Sequence, residues 1–238
     1  MARILPRDRV IHEGNIVQGG IVMIRVGIIG ASGMAGSAIY KLASTKKDLN
    51  VTGIVRNESK ARKILGADAN LISGDIFALN DSLLSRFDVI VDAYGTSPEN
   101  ADRQVRLAEK LVVLARKHKI RLIFILGAGS LKTGKDKHLF VDDIEKMPGA
   151  ETWINTPRQQ LKELQYLETI SDIDWLGISP SAVFEAGVAT NYILGQDELL
   201  FNEQNESKVT AGTMAKLVVN EILAPRHHRE RITVIDAE

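Results

Sequence analysis

The sequence predicts an α/β fold: a doubly wound parallel sheet (Rossmann-like), built as a single domain with C-terminal elements on the substrate side. Three observations carry that expectation. Short β-rich runs alternate with helical stretches from Met23 onward, the pattern of strands joined by crossover helices. A glycine-rich loop follows the first run directly and opens the first helix. The chain has 238 residues, enough to bury roughly 70% of its unfolded surface without a disulfide or metal staple.

The β-rich runs are residues 24–29, 51–55, 69–72, 88–92, 121–126 and 173–178. Between the fourth and fifth, Ala108, Leu111, Val112 and Ala115 fall at i, i+3, i+4 and i+7, one face of a helix spanning roughly residues 99 to 118. Thr156-Pro157-Arg158-Gln159 reads as a capping box with proline at the first helical position. The helix it opens carries Leu161, Leu164 and Leu167. A last helix carries Met214, Leu217, Val218 and Ile222 and stops before Pro225. Residues 129–155 and 182–208 are too long for ordinary connections and are candidate lids or binding loops.

Composition narrows the function classes. Thirty basic residues balance thirty acidic ones, which removes the main electrostatic argument for a nucleic-acid or anionic-membrane partner. No run approaches the ~18 apolar residues of a membrane helix. Cysteine is absent, so thiolate metal sites and cysteine nucleophiles are out, and a reducing cytoplasmic location is expected. A small-molecule partner is expected, and the oligomeric state is open. Residues 1–22 lack a sustained period and are not a signal peptide. They read as an N-terminal extension ahead of a domain at 23–238; an arm that packs on the domain or on a partner is the alternative.

The strongest local signal is Gly27-Ile-Ile-Gly30-Ala-Ser-Gly33-Met-Ala-Gly36. Glycines at 30, 33 and 36 omit side chains where the backbone must turn sharply, approach a pyrophosphate and pack the helix on the sheet. The helix start offers free N–H groups and a positive dipole end to an anion. Gly30, Ser32, Gly33, Met34 and Gly36 are therefore expected to hold the phosphates of a dinucleotide. An acid ending the second strand would bond the ribose 2′-hydroxyl of NAD. Here the residues are Val55-Arg56-Asn57, with Lys60 and Arg62 on the next helix. A guanidinium can grip a 2′-phosphate bidentately, which favours NADP over NAD. Two further strand ends point to the same place. After the third strand, Asp75 could accept from an adenine amino group and Ile76 could pack on the ring. After the fourth come Ala93, Tyr94 and Gly95, small residues flanking one aromatic.

GASGMAG, VRN, GDI, AYG, GAGSL at 127–131 and SPSAVFEAG at 179–187 occur in this order. In that order they resemble the atypical short-chain dehydrogenase/reductases, nearest the NADH-flavin reductase group, relatives of the biliverdin/flavin reductases and of regulatory dinucleotide-binding proteins. The resemblance covers about residues 23 to 236. It implies an NAD(P)-binding Rossmann-like oxidoreductase, places Ser130 near the nicotinamide as a candidate catalytic residue, and puts Pro180 and Phe184 along the nicotinamide side. Ser130 capping a strand-end turn, and Phe184 in the core, are the competing readings.

A missing pair shapes the expected chemistry. The main branch of those enzymes uses Tyr-x-x-x-Lys as a proton donor to a carbonyl oxygen. Here Tyr40 is followed at +4 by Ser44, Tyr94 by Pro98, Tyr166 by Ile170 and Tyr192 by Gln196. Reduction of a flavin, quinone or similar planar acceptor does not need that acid, because proximity and stacking carry the hydride transfer and water supplies protons. Flavin thus enters as a possible substrate. The second class is a non-catalytic NADP(H)-binding regulator. Residues 129–136 match a P-loop except at Asp136, where the motif needs Ser or Thr for Mg²⁺. His138 reads as a solvated loop residue, and His227-His228 as a solvated turn lacking metal-ligand spacing.

Overall fold

A computed structural model of the protein describes residues 17–18 and 21–238. Its main sheet has eight strands: β1 (Ile24–Ile29), β2 (Leu49–Val55), β3 (Leu71–Ser73), β4 (Val89–Asp92), β5 (Arg121–Ile125), β6 (Trp175–Pro180), β7 (Tyr192–Gly195) and β8 (Glu230–Asp236). The order across the sheet is β7-β8-β6-β5-β4-β1-β2-β3. Every ladder is parallel except β7 against β8. The order reverses between β1 and β4, which opens a crevice at their carboxyl ends, where doubly wound sheets bind ligands.

The helices are α1 (Met34–Ser44), α2 (Glu58–Leu65), α3 (Asp81–Leu84), α4 (Asp102–His118), α5 (Phe140–Ile144), α6 (Asn155–Glu168) and α7 (Ala211–Leu223). Side chains alternate across the sheet and build two apolar layers. Val26, Ile28, Val89 and Val91 meet Ile39 and Ala43 of α1 and Met214 and Val218 of α7 on one face. Ile29, Ile90, Leu122 and Phe124 meet Leu107, Leu111 and Ala115 of α4 and Leu164 and Leu167 of α6 on the other. These strands are buried on both faces, which is why they read as continuous apolar runs.

The first five expected strands and the sixth match β1 to β6 within two residues at most boundaries, and the expected helix near 99–118 is α4, preceded by a 3₁₀ turn at Pro98–Asn100. Three expectations need correction. The capping box at Thr156 does not form: α6 starts at Asn155, with Ile154 at its N-cap and no side-chain cap. A 3₁₀ turn, Ala150–Thr152, leads into the helix, and the residues that follow it supply carbonyls instead: Thr156 N–H donates to Trp153 O at 3.0 Å and Arg158 N–H to Ile154 O at 3.2 Å. Pro157 still lies in the first turn, where its missing N–H costs nothing. Strand β8 escaped the sequence reading, and so did β7 within the long 182–208 segment. The other long segment also carries structure of its own. Lys132–Thr133 pairs with His138–Leu139 as a hairpin turning at Gly134 (φ 68°), and α5 follows. The P-loop-like residues are therefore a hairpin, not a strand-to-helix phosphate loop.

Near the amino end, Val17–Gln18 pairs only with Ile21–Val22, and neither joins the main sheet; residues 1–16 and 19–20 of the expected extension lie outside the described residues. A chain beginning at Met23 is expected to keep its melting temperature and cofactor affinity. A fall of more than a few degrees in a thermal melt would show that the arm supports the domain.

Candidate functional site: a dinucleotide cleft

The crevice at the switch point is a cleft of about 680 Å³, within the usual size of a cofactor site. Its centre is the glycine loop. Gly30 has φ +72°, and a Cβ there would sit 2.3 Å from the Ala93 carbonyl oxygen. A Cβ on Gly36 would lie 2.2 Å from the Gly30 carbonyl oxygen. Both residues are glycine for the fold: one makes the left-handed turn, the other lets α1 pack on the loop. Gly33 differs. A Cβ there meets only the Gly30 carbonyl oxygen, at 3.2 Å, and the residue is exposed and lines the cleft. It is the N-cap of α1 and offers no side-chain cap, so the N–H groups of the first turn face the cleft with no partner among the described residues. A phosphate fits that cradle, because it takes both the free donors and the dipole end. Ser32 and Met34 line the same turn.

One end of the cleft is cationic. Arg56 directly follows β2, and Asn57 caps α2 by accepting from Lys60 N–H at 2.9 Å. Arg56, Asn57 and Lys60 all line the cleft. Among the described residues Arg56 makes no ion pair, whereas Arg62 is committed to Glu58 at 2.7 Å and to the Ala69 carbonyl at 3.2 Å. Ile76 is buried and forms the wall beside Arg56, with Gly74. Asp75 turns away: Arg103 bridges both its oxygens at 2.9 and 2.8 Å, and Phe77 N–H adds a third bond. The Arg103 hydrogen bond, then the Phe77 N–H, hold its carboxyl below the usual aspartate range. Ala93, Tyr94 and Gly95 line the middle of the cleft, and Tyr94 packs edge-on against Phe77.

The other end is apolar. Ile125 and Leu126 from the end of β5, Phe184, and Gln160 of α6 line it. The sequence reading missed Gln160, Ile125 and Leu126; they come from elements far apart in the chain, and only the sheet order brings them together. Gln160 packs so closely on Gly127 that a Cβ there would meet its Oε1 at 2.1 Å. Pro180 is buried at the end of β6, one strand further along. Ser130 is also buried. Its hydroxyl donates to the Gly127 carbonyl at 3.3 Å and accepts from Arg231 at 3.4 Å, so it is held inside the fold and is not among the lining residues.

His138, His227 and His228 each have an acidic neighbour; His228 is exposed and the other two are half-buried. His138 lies between Asp136 at 2.6 Å and Asp143 at 2.9 Å, and those carboxylates raise its pKa. His227 contacts Glu221, and His228 contacts Asp174, each at 2.8 Å. Among the described residues no cluster of acidic or histidine side chains could hold a metal, and no helix is long and apolar enough to cross a membrane.

Residues 30–225 match the family described as NAD(P)H-binding, a span that begins in the glycine loop and takes in both ends of the cleft. The chain belongs to the NAD(P)H-binding family. A Bacillus subtilis protein named as uncharacterized, YwnB, is 33% identical over 215 residues, 89% of this chain and 98% of that one. A Lactobacillus casei protein of known structure is 32% identical, covers 90% of this chain and all of its own, and superposes with a TM-score of 0.83. A Streptococcus pneumoniae structure titled a "putative NADH-flavin reductase" is 28% identical over 90% of this chain and 99% of its own, with a TM-score of 0.79. The glycine loop and the Rossmann strand order are both present, and no tyrosine of the sequence has a lysine four residues on.

Proposed function

We propose that this protein is an NADPH-dependent reductase of a planar redox ring, a flavin or a quinone. The observation that carries the reading is the polarity of the cleft: an unpaired arginine at one end, an apolar wall without an acid at the other. Arg56, with Lys60 and Asn57, takes the 2′-phosphate side; Ile76 packs on the adenine. The free N–H groups at the start of α1, around Gly33, hold the pyrophosphate. Ile125, Leu126 and Phe184 wall the ring end and exclude water from it, and Gln160 supplies the amide that can orient a carboxamide. A bound nicotinamide supplies hydride to a ring stacked against it. Phe184 sits where it can sandwich that ring. Ser130, the candidate catalytic residue, is left a positioning role through the Gly127 turn. The name of the Streptococcus relative supports a flavin as acceptor.

The test is NADPH oxidation with riboflavin, a quinone and a panel of aldehydes and ketones. Turnover is expected with the planar acceptors, because stacking needs no preorganised acid. Ser130→Ala should keep the rate within about threefold, while Phe184→Ala should lose about tenfold, some 1.4 kcal/mol of barrier. Fast aldehyde reduction with inert flavin and quinone would overturn the reading. Silence with every acceptor would favour a regulator that binds NADP(H) without turnover.

A further inference from the structure

Beneath the cleft, between its middle and its ring end, lie two buried carboxyl groups that the proposed chemistry leaves unused. Asp92 is the last residue of β4, immediately before the cleft-lining Ala93, Tyr94 and Gly95. It shares the sheet face of Ile90 and, in register, Phe124, so its side chain enters the layer between the sheet and α4 and α6. Glu163 reaches the same layer from α6, one turn on from the cleft-lining Gln160. The two side chains are 5% and 4% exposed.

No cation serves either group. The Tyr94 N–H, at 2.9 Å, is the one hydrogen bond to Asp92 among the described residues, and Glu163 has none. The other groups of this layer are neutral or occupied elsewhere. On α4, Arg103 is held by Asp75 and Lys110 by the carbonyls of Ile76, Phe77 and Leu79. On α6, Arg158 pairs with Glu145, Lys162 is exposed, and Tyr166 is neutral. On β5, Arg121 lies at the far end of the strand, on Glu221. Two buried acceptors or donors at this end of the layer also lack partners, the Gln104 amide oxygen and the Tyr94 hydroxyl. Two neighbouring carboxylates resist being ionised together in such a place. Burial, against the single Tyr94 N–H, pushes Asp92 up to about 7. Burial and the neighbouring Asp92 charge hold Glu163 well above the usual range.

We propose that Asp92 and Glu163 form a proton-holding pair whose charge is coupled to the charge of the nicotinamide ring bound above them. The proposal rests on the cleft binding its cofactor with the ring at the Gln160 end. A neutral, reduced ring leaves the pair protonated. A cationic, oxidised ring favours the anionic pair, so a proton leaves a carboxyl oxygen for solvent and no bond of the cofactor changes. By linkage the anionic pair favours the oxidised ring equally, so the device promotes hydride donation as pH rises.

Calorimetric titration in two buffers of different ionisation enthalpy, near pH ~7, reads the proton directly and needs no acceptor. NADP⁺ binding is expected to release a fraction of a proton more than NADPH binding does, and the NADP⁺ to NADPH affinity ratio should rise several-fold from about pH 6 to about pH 8. The two cofactors carry the same 2′-phosphate, so the difference isolates the ring. Glu163→Gln and Asp92→Asn should each abolish the difference. As a check independent of the variants, the wild-type protein should show the infrared carbonyl band of a neutral carboxylic acid at neutral pH. Equal proton exchange for both cofactors, or no such band, would overturn the proposal. Failure of the acceptor assay alone would leave this result standing, since nothing in the titration requires turnover.

Discussion

Replacing Glu221 by alanine is expected to cost about 3–5 kcal/mol of stability, the scale for removing one member of a buried ion pair. Arg121 opens β5 at the end of the sheet away from the cleft, and its side chain is 8% exposed; Glu221 of α7 is 4% exposed and meets it at 3.1 Å. The same Glu221 carboxylate accepts from Arg226 N–H at 3.1 Å and contacts His227 Nδ1 at 2.8 Å. Asp174 approaches Arg121 from the other side at 3.6 Å. Removing the carboxylate takes the nearest counter-charge from a buried guanidinium whose Nε already lacks a partner among the described residues, leaving it the more distant Asp174 and the His227 carbonyl at 2.9 Å. A chain of this length should lose on the order of 10 °C in melting temperature. A loss under about 1 kcal/mol in denaturant titration would place the cluster among weak surface pairs. The pH dependence has a definite sign. Burial raises the Glu221 carboxyl, but the bonds from His227 and the Arg226 and His227 N–H groups outweigh it and leave it below the ordinary value of 4.5. Its stabilisation is therefore present above that value and is lost as pH falls through the lowered one.

Gly33→Val should abolish tight cofactor binding while leaving the fold intact. The three loop glycines are not equivalent. At Gly30 and Gly36 an added carbon runs into backbone at 2.3 and 2.2 Å, so substitution there disturbs the loop itself. At Gly33 the only close atom is the Gly30 carbonyl oxygen at 3.2 Å, and the new branched side chain projects into the space over the free N–H groups. Loss of the phosphate contact and the steric block together should weaken binding at least tenfold, roughly 1.4 kcal/mol or more. Circular dichroism and a thermal melt establish that the variant is folded; unchanged NADP⁺ affinity in that folded variant would remove the glycine loop from the site.

The legible parts of the molecule are those with local rules. Strands β1, β2, β4 and β5 are buried on both faces and so appear as short apolar runs. The glycine loop is legible because turn, close approach and helix start fall within seven residues. Strand β8 was hidden by its own polarity: Glu230, Arg231, Thr233 and Asp236 interrupt the apolar run, and the structure accounts for two of these by pairing Arg231 with Asp197 at 2.9 Å and Asp236 with Thr210 N–H at 3.1 Å. Such long-range partners have no local signature. The same is true of Gln160, which joins the cleft only because α6 packs beside β5. Asp75 shows the converse problem. Its place after β3 suggested a ligand contact, but the cation that takes its carboxylate, Arg103, lies 28 residues further along the chain. Asp92 and Glu163 look ordinary in the sequence; their burial makes them unusual.

In the proposed function, Arg56 is the residue that distinguishes NADPH from NADH by its 2′-phosphate. Titration of the wild-type protein with NADPH and NADH under identical salt tests it most directly. A charge-assisted contact of ~1.5–3 kcal/mol predicts NADPH binding about 10- to 150-fold more tightly, with the preference erased or reversed in Arg56→Asp. Equal affinities for the two cofactors in the wild-type protein would contradict it.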